Sequence, residues 1–398
     1  MTSDRERAVL LLQRIERESL FATPLLHNES GFVRTLVLGV LRWRSRLDHV
    51  ISVCAGRRIE KIDDRVVDIL RLGVYQLLFM DVAQYAAVSE TVDLAARYAK
   101  RARGFVNAIL RKASQTKVHP DSVATATAHP EWLLARWTRQ YGADRALAIA
   151  EADQQLSYPD VFVFGGAAPV DAEPSRLVAG MYRLHGAVEQ ADNIYALDEG
   201  SAVIADLTVA AGREVLDLAA APGGKTIVMR ARGANVISND IAIARLGPLR
   251  NRTTKIVVSD GRRPPFTHRF QTVLLDAPCS ATGTIRKNPE LKWRLRESEL
   301  PAFAQLQKEL LASALTLAAE TCVYSTCSLE REENDEVIEE VLRAHSEFER
   351  MDVTPLVNDE VKKWVENGVL RLTPESGADG FTAFVLRRKS ELKTSHAS

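Results

Sequence analysis

The chain reads as an all-helical N-terminal domain followed by a doubly wound α/β domain. Three observations predict this. Apolar residues recur at helical spacing through residues 4 to about 155, as in Val66, Leu70, Val74, Leu77 and Leu78. From residue 197 short apolar runs alternate with helical stretches, the order that builds a sheet covered by helices. A small-residue turn, Ala219 to Gly224, closes the first of these runs, and such sheets collect ligands at the carboxyl ends of their strands.

Composition narrows the class. With 398 residues there is room for two or three domains, and 46% hydrophobic with 26% charged residues predicts soluble domains with sizeable cores. Formal net charge is +0, so any attraction to nucleic acid has to come from local patches. The cysteines at 54, 279, 322 and 327 form no C-x-x-C pair and have no histidine cluster nearby, which argues against a zinc site and against a disulfide scaffold. Thr2 to Glu6 is polar and charged, and no apolar run approaches a bilayer span. The expectation is a cytoplasmic monomer with no metal and no membrane contact.

In order along the chain, residues 1–150 form the helical domain. Val88, Val92, Leu94 and Ala95 start one helix after Gln84-Tyr85, and Phe105, Ile109 and Leu110 mark another after Gly104. Val161 to Phe164 is strand-like, and Gly165, Gly166, Pro169 and Pro174 then break the chain, so 151–196 reads as a short connector or a reduced domain. The α/β domain spans 197–390. Its strands are Val215 to Leu218, Val236 to Ser238, Ile256 to Val258, Val273 to Leu275 and Cys322 to Tyr324. Helices are expected over roughly 223–231, 241–250, 301–319 and 329–344. The polar end, 391–398, is expected to be a disordered tail.

The turn Asp217-Leu218-Ala219-Ala220-Ala221-Pro222-Gly223-Gly224-Lys225-Thr226 lets backbone approach a ligand and opens a helix with free N–H groups. It misses the Walker A pattern, which has glycine where Ala219 stands, and Pro222 lacks an amide that would cradle phosphate. The dinucleotide fingerprint is also absent. Asp240 at the end of the second strand suits ribose hydroxyls, and Asp260 after the third suits an adenine amine. Each aspartate alone is more often a turn or cap residue. One acid per strand end fits a nucleoside-type cofactor without a pyrophosphate, as in S-adenosylmethionine.

Two cysteines stand just past apolar runs, in Leu275-Asp276-Ala277-Pro278-Cys279-Ser280 and Tyr324-Ser325-Thr326-Cys327-Ser328, so both thiols could face one crevice. The plain alternative for either is a buried structural cysteine. At these residues the chain resembles the RNA cytosine-5 methyltransferase family, in its ribosomal small-subunit RNA methyltransferase B branch. Leu216 to Thr226, Leu275 to Arg286, Tyr324 to Ser328, Asp198 to Ser201, and Gly380-Phe381 with Phe384 carry the likeness. Phe105 to Arg111 resembles the NusB-like antitermination fold of that branch. Ala219 replaces a usual cysteine. Residues 156–190 are shorter than the family's RNA-recognition-like insert, and Val161 to Phe164 lacks its usual Arg and Asn.

The resemblance implies a Rossmann-like, S-adenosylmethionine-dependent methyltransferase domain behind a NusB-like RNA-binding domain. It implies that Cys327 adds to cytosine carbon 6, that Cys279 helps resolve the adduct, and that Asp276 binds the pyrimidine edge. Ala219, Ala220, Ala221, Pro222, Gly223, Gly224 and Lys225, with Asp240, Asp260 and Asp276, are the expected cofactor residues. Glu330, Glu332 and Glu333 are expected in the first turn of the following helix, where they would oppose a thiolate. RNA contact is expected from Arg97, Lys100, Arg101 and Arg103, and from Arg286, Lys287 and Lys292 around Trp293, although charge runs are usually solvated faces. Small-subunit ribosomal RNA is the expected partner. Transfer RNA as substrate, and a non-catalytic RNA-binding assembly factor, remain open alternatives.

Overall fold

A computed structural model of the chain describes residues 3–186, 193–250, 253 and 255–390, and the expected tail at 391–398 lies outside them. Two compact units divide the chain, Met1–Gln155 with Ile285–Leu295, and Leu156–Thr284 with Arg296–Ser398.

The first unit is helical. Its longer helices are Asp4–Arg17, Gly31–Ala55, Asp64–Phe79, Gln84–Tyr98, Arg103–Gln115 and Glu131–Tyr141. Their starts follow the sequence. Ser3 and Glu6 form a capping box, and Ser30 caps Gly31–Ala55 through the Val33 amide. Val66, Leu70 and Val74 enter the core with Leu36, Val37 and Leu110, whereas Leu78 turns outward, 41% exposed. Arg97, Lys100, Arg101 and Arg103 are all exposed, with Arg97 paired to Glu6 at 3.3 Å.

Residues 285–295 correct the expectation of a continuous domain over 197–390, because they pack with the helical unit. Lys292 is buried, and its ammonium donates to the carbonyls of Arg42 at 2.9 Å and Ala128 at 2.8 Å. Burial pushes its pKa down to about 7, partly opposed by Asp153. Arg286 is buried too, and its carbonyl accepts from Arg42 at 2.9 Å. Neither side chain presents its charge to solvent for a phosphate, so the expected RNA contacts of Arg286 and Lys292 are withdrawn. Lys287 is half-buried. Trp293 packs, donating its indole N–H to the Leu41 carbonyl at 2.6 Å.

The second unit opens with strands β1 (Asp160–Val163), β2 (Ala172–Pro174), β3 (Met181–Leu184) and β4 (Ile194–Ala196), a small antiparallel sheet in the order β2-β3-β1-β4. Of the two readings of this stretch, connector or reduced domain, the sheet fits the second, and its Phe162, Leu177, Val178 and Met181 join a core with the larger sheet.

That larger sheet holds β5 (Glu214–Asp217), β6 (Asn235–Asp240), β7 (Ile256–Val258), β8 (Phe270–Asp276) and β9 (Ala318–Thr326). These run parallel in the order β7-β6-β5-β8-β9. The antiparallel strands β10 (Phe348–Met351), β11 (Val365–Glu366), β12 (Val369–Leu372) and β13 (Phe381–Arg388) complete it, β13 lying against β9. The order reverses between β5 and β8, the switch point where doubly wound sheets bind ligands. Helices Glu199–Ala211, Gly224–Ala231, Leu300–Leu317 and Asp335–Ala344 accompany it. The helix expected at 241–250 is instead a 3-10 turn, Ile243–Leu246, and a single turn, Gly247–Arg250, broken at Gly247-Pro248.

One close approach locks the sheet end. The Gly283 amide donates to the Cys327 carbonyl at 2.9 Å, and the Gly380 amide to the Gly283 carbonyl at 2.7 Å. A Cβ on Gly283 would lie 2.4 Å from the Gly380 carbonyl oxygen. Backbone cannot yield there cheaply. Gly283→Ala is expected to lower unfolding free energy by roughly 1–3 kcal/mol, read as a lower urea midpoint at unchanged slope. An unchanged midpoint would contradict the close packing.

Candidate active site

The site is assembled at the carboxyl ends of β5, β8 and β9. Parallel pairing sets Asp217 beside Leu274 and Asp276 beside Ser325. The chain then leaves β8 through Ala277-Pro278-Cys279 and β9 through Cys327-Ser328. The two sulfurs lie 3.2 Å apart. The expectation that both thiols face one place is met.

Asp276 is held from both sides. Its Oδ2 accepts from the Lys225 ammonium at 2.6 Å, and its Oδ1 from the Ser325 hydroxyl at 2.8 Å. Lys225 also reaches the Ser201 hydroxyl at 3.3 Å and sits over the Phe381 ring. Burial alone would lower the lysine's pKa, but Asp276 outweighs it and holds the ammonium above its ordinary value. The Cys279 thiol is held well above its ordinary value, first by the hydrogen bond with Cys327, then by burial and by the electrostatic influence of its neighbours. Cys279 therefore stays protonated and can donate to the Cys327 sulfur. Cys54 and Cys322 are buried, and burial alone pushes Cys322 far up, so both are packing residues.

Beside Lys225 and Asp276 opens a cleft of about 260 Å³. Of the expected cofactor residues, Ala219, Ala220, Ala221, Pro222, Gly224, Lys225 and Asp276 line it. Tyr195, Leu197, Asp198 and Asp217 line it as well; the sequence places Asp217 in the series of strand-end acids and points to no cofactor contact for the other three. Asp217 is the most informative of these. Thr226 donates to its Oδ2 at 2.6 Å, while its buried Oδ1 has no partner. Burial raises this carboxyl to about 7 against that hydrogen bond. An orphaned buried acceptor at the wall of a cleft fits a cationic ligand group such as an ammonium.

The remaining expected residues lie outside the cleft lining. Gly223 takes φ 108°, a conformation suited to glycine, and starts the helix Gly224–Ala231. Asp240 accepts the Ala221 amide at 2.9 Å and the Ala242 amide at 2.8 Å, so it fixes the small-residue turn, and its further lone pairs remain for hydroxyls. Asp260 differs from expectation. Its carboxylate is taken by Arg262, at 2.7 Å from Nη2, in a solvent-accessible ion pair.

The acidic run after Cys327 also departs from expectation. Arg331–Glu333 is a separate 3-10 turn, and Glu333 is buried rather than at a helix start facing solvent. Its carboxylate accepts the Ser280 amide at 2.8 Å, the Ser328 hydroxyl at 2.6 Å, the Gln307 amide at 2.9 Å, and the Ser280 hydroxyl.

Comparison with known proteins gives concordant results. Residues 205–387 match the 16S rRNA methyltransferase RsmB/F family, and residues 2–115 match the NusB family. A ribosomal RNA small subunit methyltransferase B of Pseudomonas putida is 31% identical, covering 89% of this chain and 89% of its own length. A probable ribosomal RNA small subunit methyltransferase B of Bacillus subtilis is 28% identical over 98% of this chain and 99% of that one. Among solved structures, PH0851 superimposes with a TM-score of 0.76 over 97% of this chain and 98% of its own, at 24% identity, a likeness of fold.

Asp217 gives a pH test. Its carboxyl titrates near 7 when folded and near 3.8 when unfolded, so the folded state binds the extra proton between these values. This group's contribution to stability is therefore greatest below the lower value and declines as pH rises through the higher one, by at most roughly 4 kcal/mol. Asp217→Asn should flatten the fall in melting temperature between about pH 4 and 7. Parallel profiles for the two proteins would show that Asp217 is ionised throughout.

Proposed function

Because the chain belongs to the RsmB/F family of 16S rRNA methyltransferases, with a NusB domain at its N-terminus, we propose that it methylates carbon 5 of a cytidine in small-subunit ribosomal RNA through a cysteine adduct. Membership makes it an RNA methyltransferase that uses S-adenosylmethionine. The cytosine position and the adduct are our reading, and the 3.2 Å contact between a protonated Cys279 and Cys327 carries it.

Carbon 5 of cytosine is a poor nucleophile until the ring is activated. Cys327, as thiolate, forms a bond to carbon 6, and the displaced electron pair makes carbon 5 nucleophilic. The hydrogen bond from Cys279 and the field of the Lys225 ammonium favour that thiolate. Asp276, braced by Lys225 and Ser325, hydrogen-bonds the pyrimidine edge near N3, where charge develops during addition. S-Adenosylmethionine supplies the methyl group as a sulfonium. The carbon 5 proton then leaves to a base, the carbon 6–sulfur bond breaks, and Cys327 recovers its electron pair. Cys279, the neutral thiol at the departing sulfur, assists this release.

Small residues at 219–221 let the cofactor lie against backbone, with Asp217 Oδ1 the acceptor for its ammonium and Asp240 the support of its ribose. The target base has to leave its stack to reach the sulfurs, which favours a loop or single-stranded RNA. The exposed Arg97, Lys100, Arg101 and Arg103 are the proposed phosphate contacts of the helical unit.

Methyl transfer from labelled S-adenosylmethionine to small-subunit ribosomal RNA, with mapping of the product base, tests the reaction. Cys327→Ala should abolish transfer and leave cofactor affinity by calorimetry unchanged, and full turnover would refute the nucleophile. Cys279→Ala should accumulate protein covalently bound to RNA, whereas normal turnover with no adduct would reduce it to packing. Neutralising Arg97, Lys100, Arg101 and Arg103 together should weaken RNA binding and flatten its salt dependence. An unchanged salt slope with a lowered melting temperature would make this a packing face.

A further inference from the structure

We propose that Glu333 is the positioning residue that sets the two cysteines against each other. The inference rests on the cysteine-adduct reading above and goes beyond it by naming what holds the sulfurs. Cys279 and Cys327 stand on loops from different strands, and backbone pairing of β8 with β9 ends at Asp276 and Ser325. Beyond that point the Ala277 amide on the Ser325 carbonyl and the Gly283 amide on the Cys327 carbonyl hold backbone, and placing the two thiols takes a further restraint on each loop.

Glu333 provides it for both. The residue after each cysteine is a serine, and both serine hydroxyls donate to Glu333 Oε1, Ser328 at 2.6 Å. The Ser280 amide donates to Oε2 at 2.8 Å. Gln307 donates its side-chain amide to the same Oε2 at 2.9 Å and to the Pro278 carbonyl at 2.8 Å, closing the ring from the helix Leu300–Leu317. All four partners of the carboxylate are donors, so an ionised carboxylate satisfies them and an amide cannot satisfy all four without reorienting the hydroxyls. The side chain is fully buried, where hydrogen bonds to a charged acceptor are strong and costly to lose. Glu333 touches neither sulfur. It acts through Ser280 and Ser328, each one residue from the thiol it places.

The test uses the full chain with Glu333→Ala, Glu333→Gln and the exposed Glu336→Gln as control. Diamide takes two electrons and two protons from a pair of neighbouring thiols, giving a disulfide and a hydrazine. Wild type and the control should form the Cys279–Cys327 disulfide at one rate, and Glu333→Ala should slow it about tenfold or more, as for misplaced reactants. In single-turnover methyl transfer, Glu333→Ala should lower kcat about 100-fold with KM for RNA and cofactor affinity little changed. Glu333→Gln, which keeps the shape, should recover part of that loss and covers the case in which the alanine variant does not fold. Rates equal to wild type in both assays for a folded Glu333 variant would overturn the positioning role. A wild type that transfers no methyl group to cytidine would instead overturn the reading of the reaction, because the cross-linking arm needs no RNA.

Discussion

The parallel pairing of β8 with β9 is the constraint on which the rest depends. It sets Asp276 opposite Ser325, and the Ala277 amide donates to the Ser325 carbonyl at 2.8 Å just beyond. From that shared register the chain reaches Cys279 three residues past Asp276 and Cys327 two past Ser325. A slip of one residue would turn every side chain to the other face of the sheet and separate the thiols. The hydrogen bond from Gly283 to the Cys327 carbonyl, and that from Gly380 to Gly283, close the same region from the side of β13. The meeting of the two sulfurs at 3.2 Å thus depends on backbone pairing first.

Charge is arranged around this frame in a consistent way. Lys225 pairs with Asp276 at 2.6 Å, and it stays protonated because that contact outweighs its burial. Asp217 and Glu333 are two buried acids with opposite fates. Glu333 has four donors and needs no further partner. Asp217 has one donor and an orphaned oxygen at the cleft, so it is the acid that a bound cation would satisfy. Glu333 holds the loops, and the orphaned oxygen of Asp217 stands at the cleft wall.

Much of this was legible in sequence. Ile256 to Val258 is a strand to the residue, β5 begins and ends one residue before its expected run, and β6, β8 and β9 extend theirs at both ends, because edge polar positions pair as well as apolar ones. The cysteines, Asp276 and the small-residue turn were marked by their place after apolar runs. What could not be read has long-range causes. Lys292 looks like a surface cation until carbonyls more than a hundred residues away accept its protons. Glu333 looks like a helix-start acid, since only the folded loops bring Ser280 and Ser328 to it. Asp217 was visible as a strand end, but its missing partner was not. Gly247-Pro248 was the available sign that the segment 241–250 would break.

The central claim is that Cys327, and not Cys279, bonds to the cytosine while Cys279 remains a thiol. The most direct measurement is peptide mass mapping of the covalent complex between the full chain and 5-azacytidine-containing small-subunit RNA, formed with S-adenosylmethionine present. The account predicts nucleotide mass on the peptide bearing Cys327 and an unmodified peptide bearing Cys279. Nucleotide mass on Cys279, or no covalent complex from a protein that methylates the RNA, would contradict it.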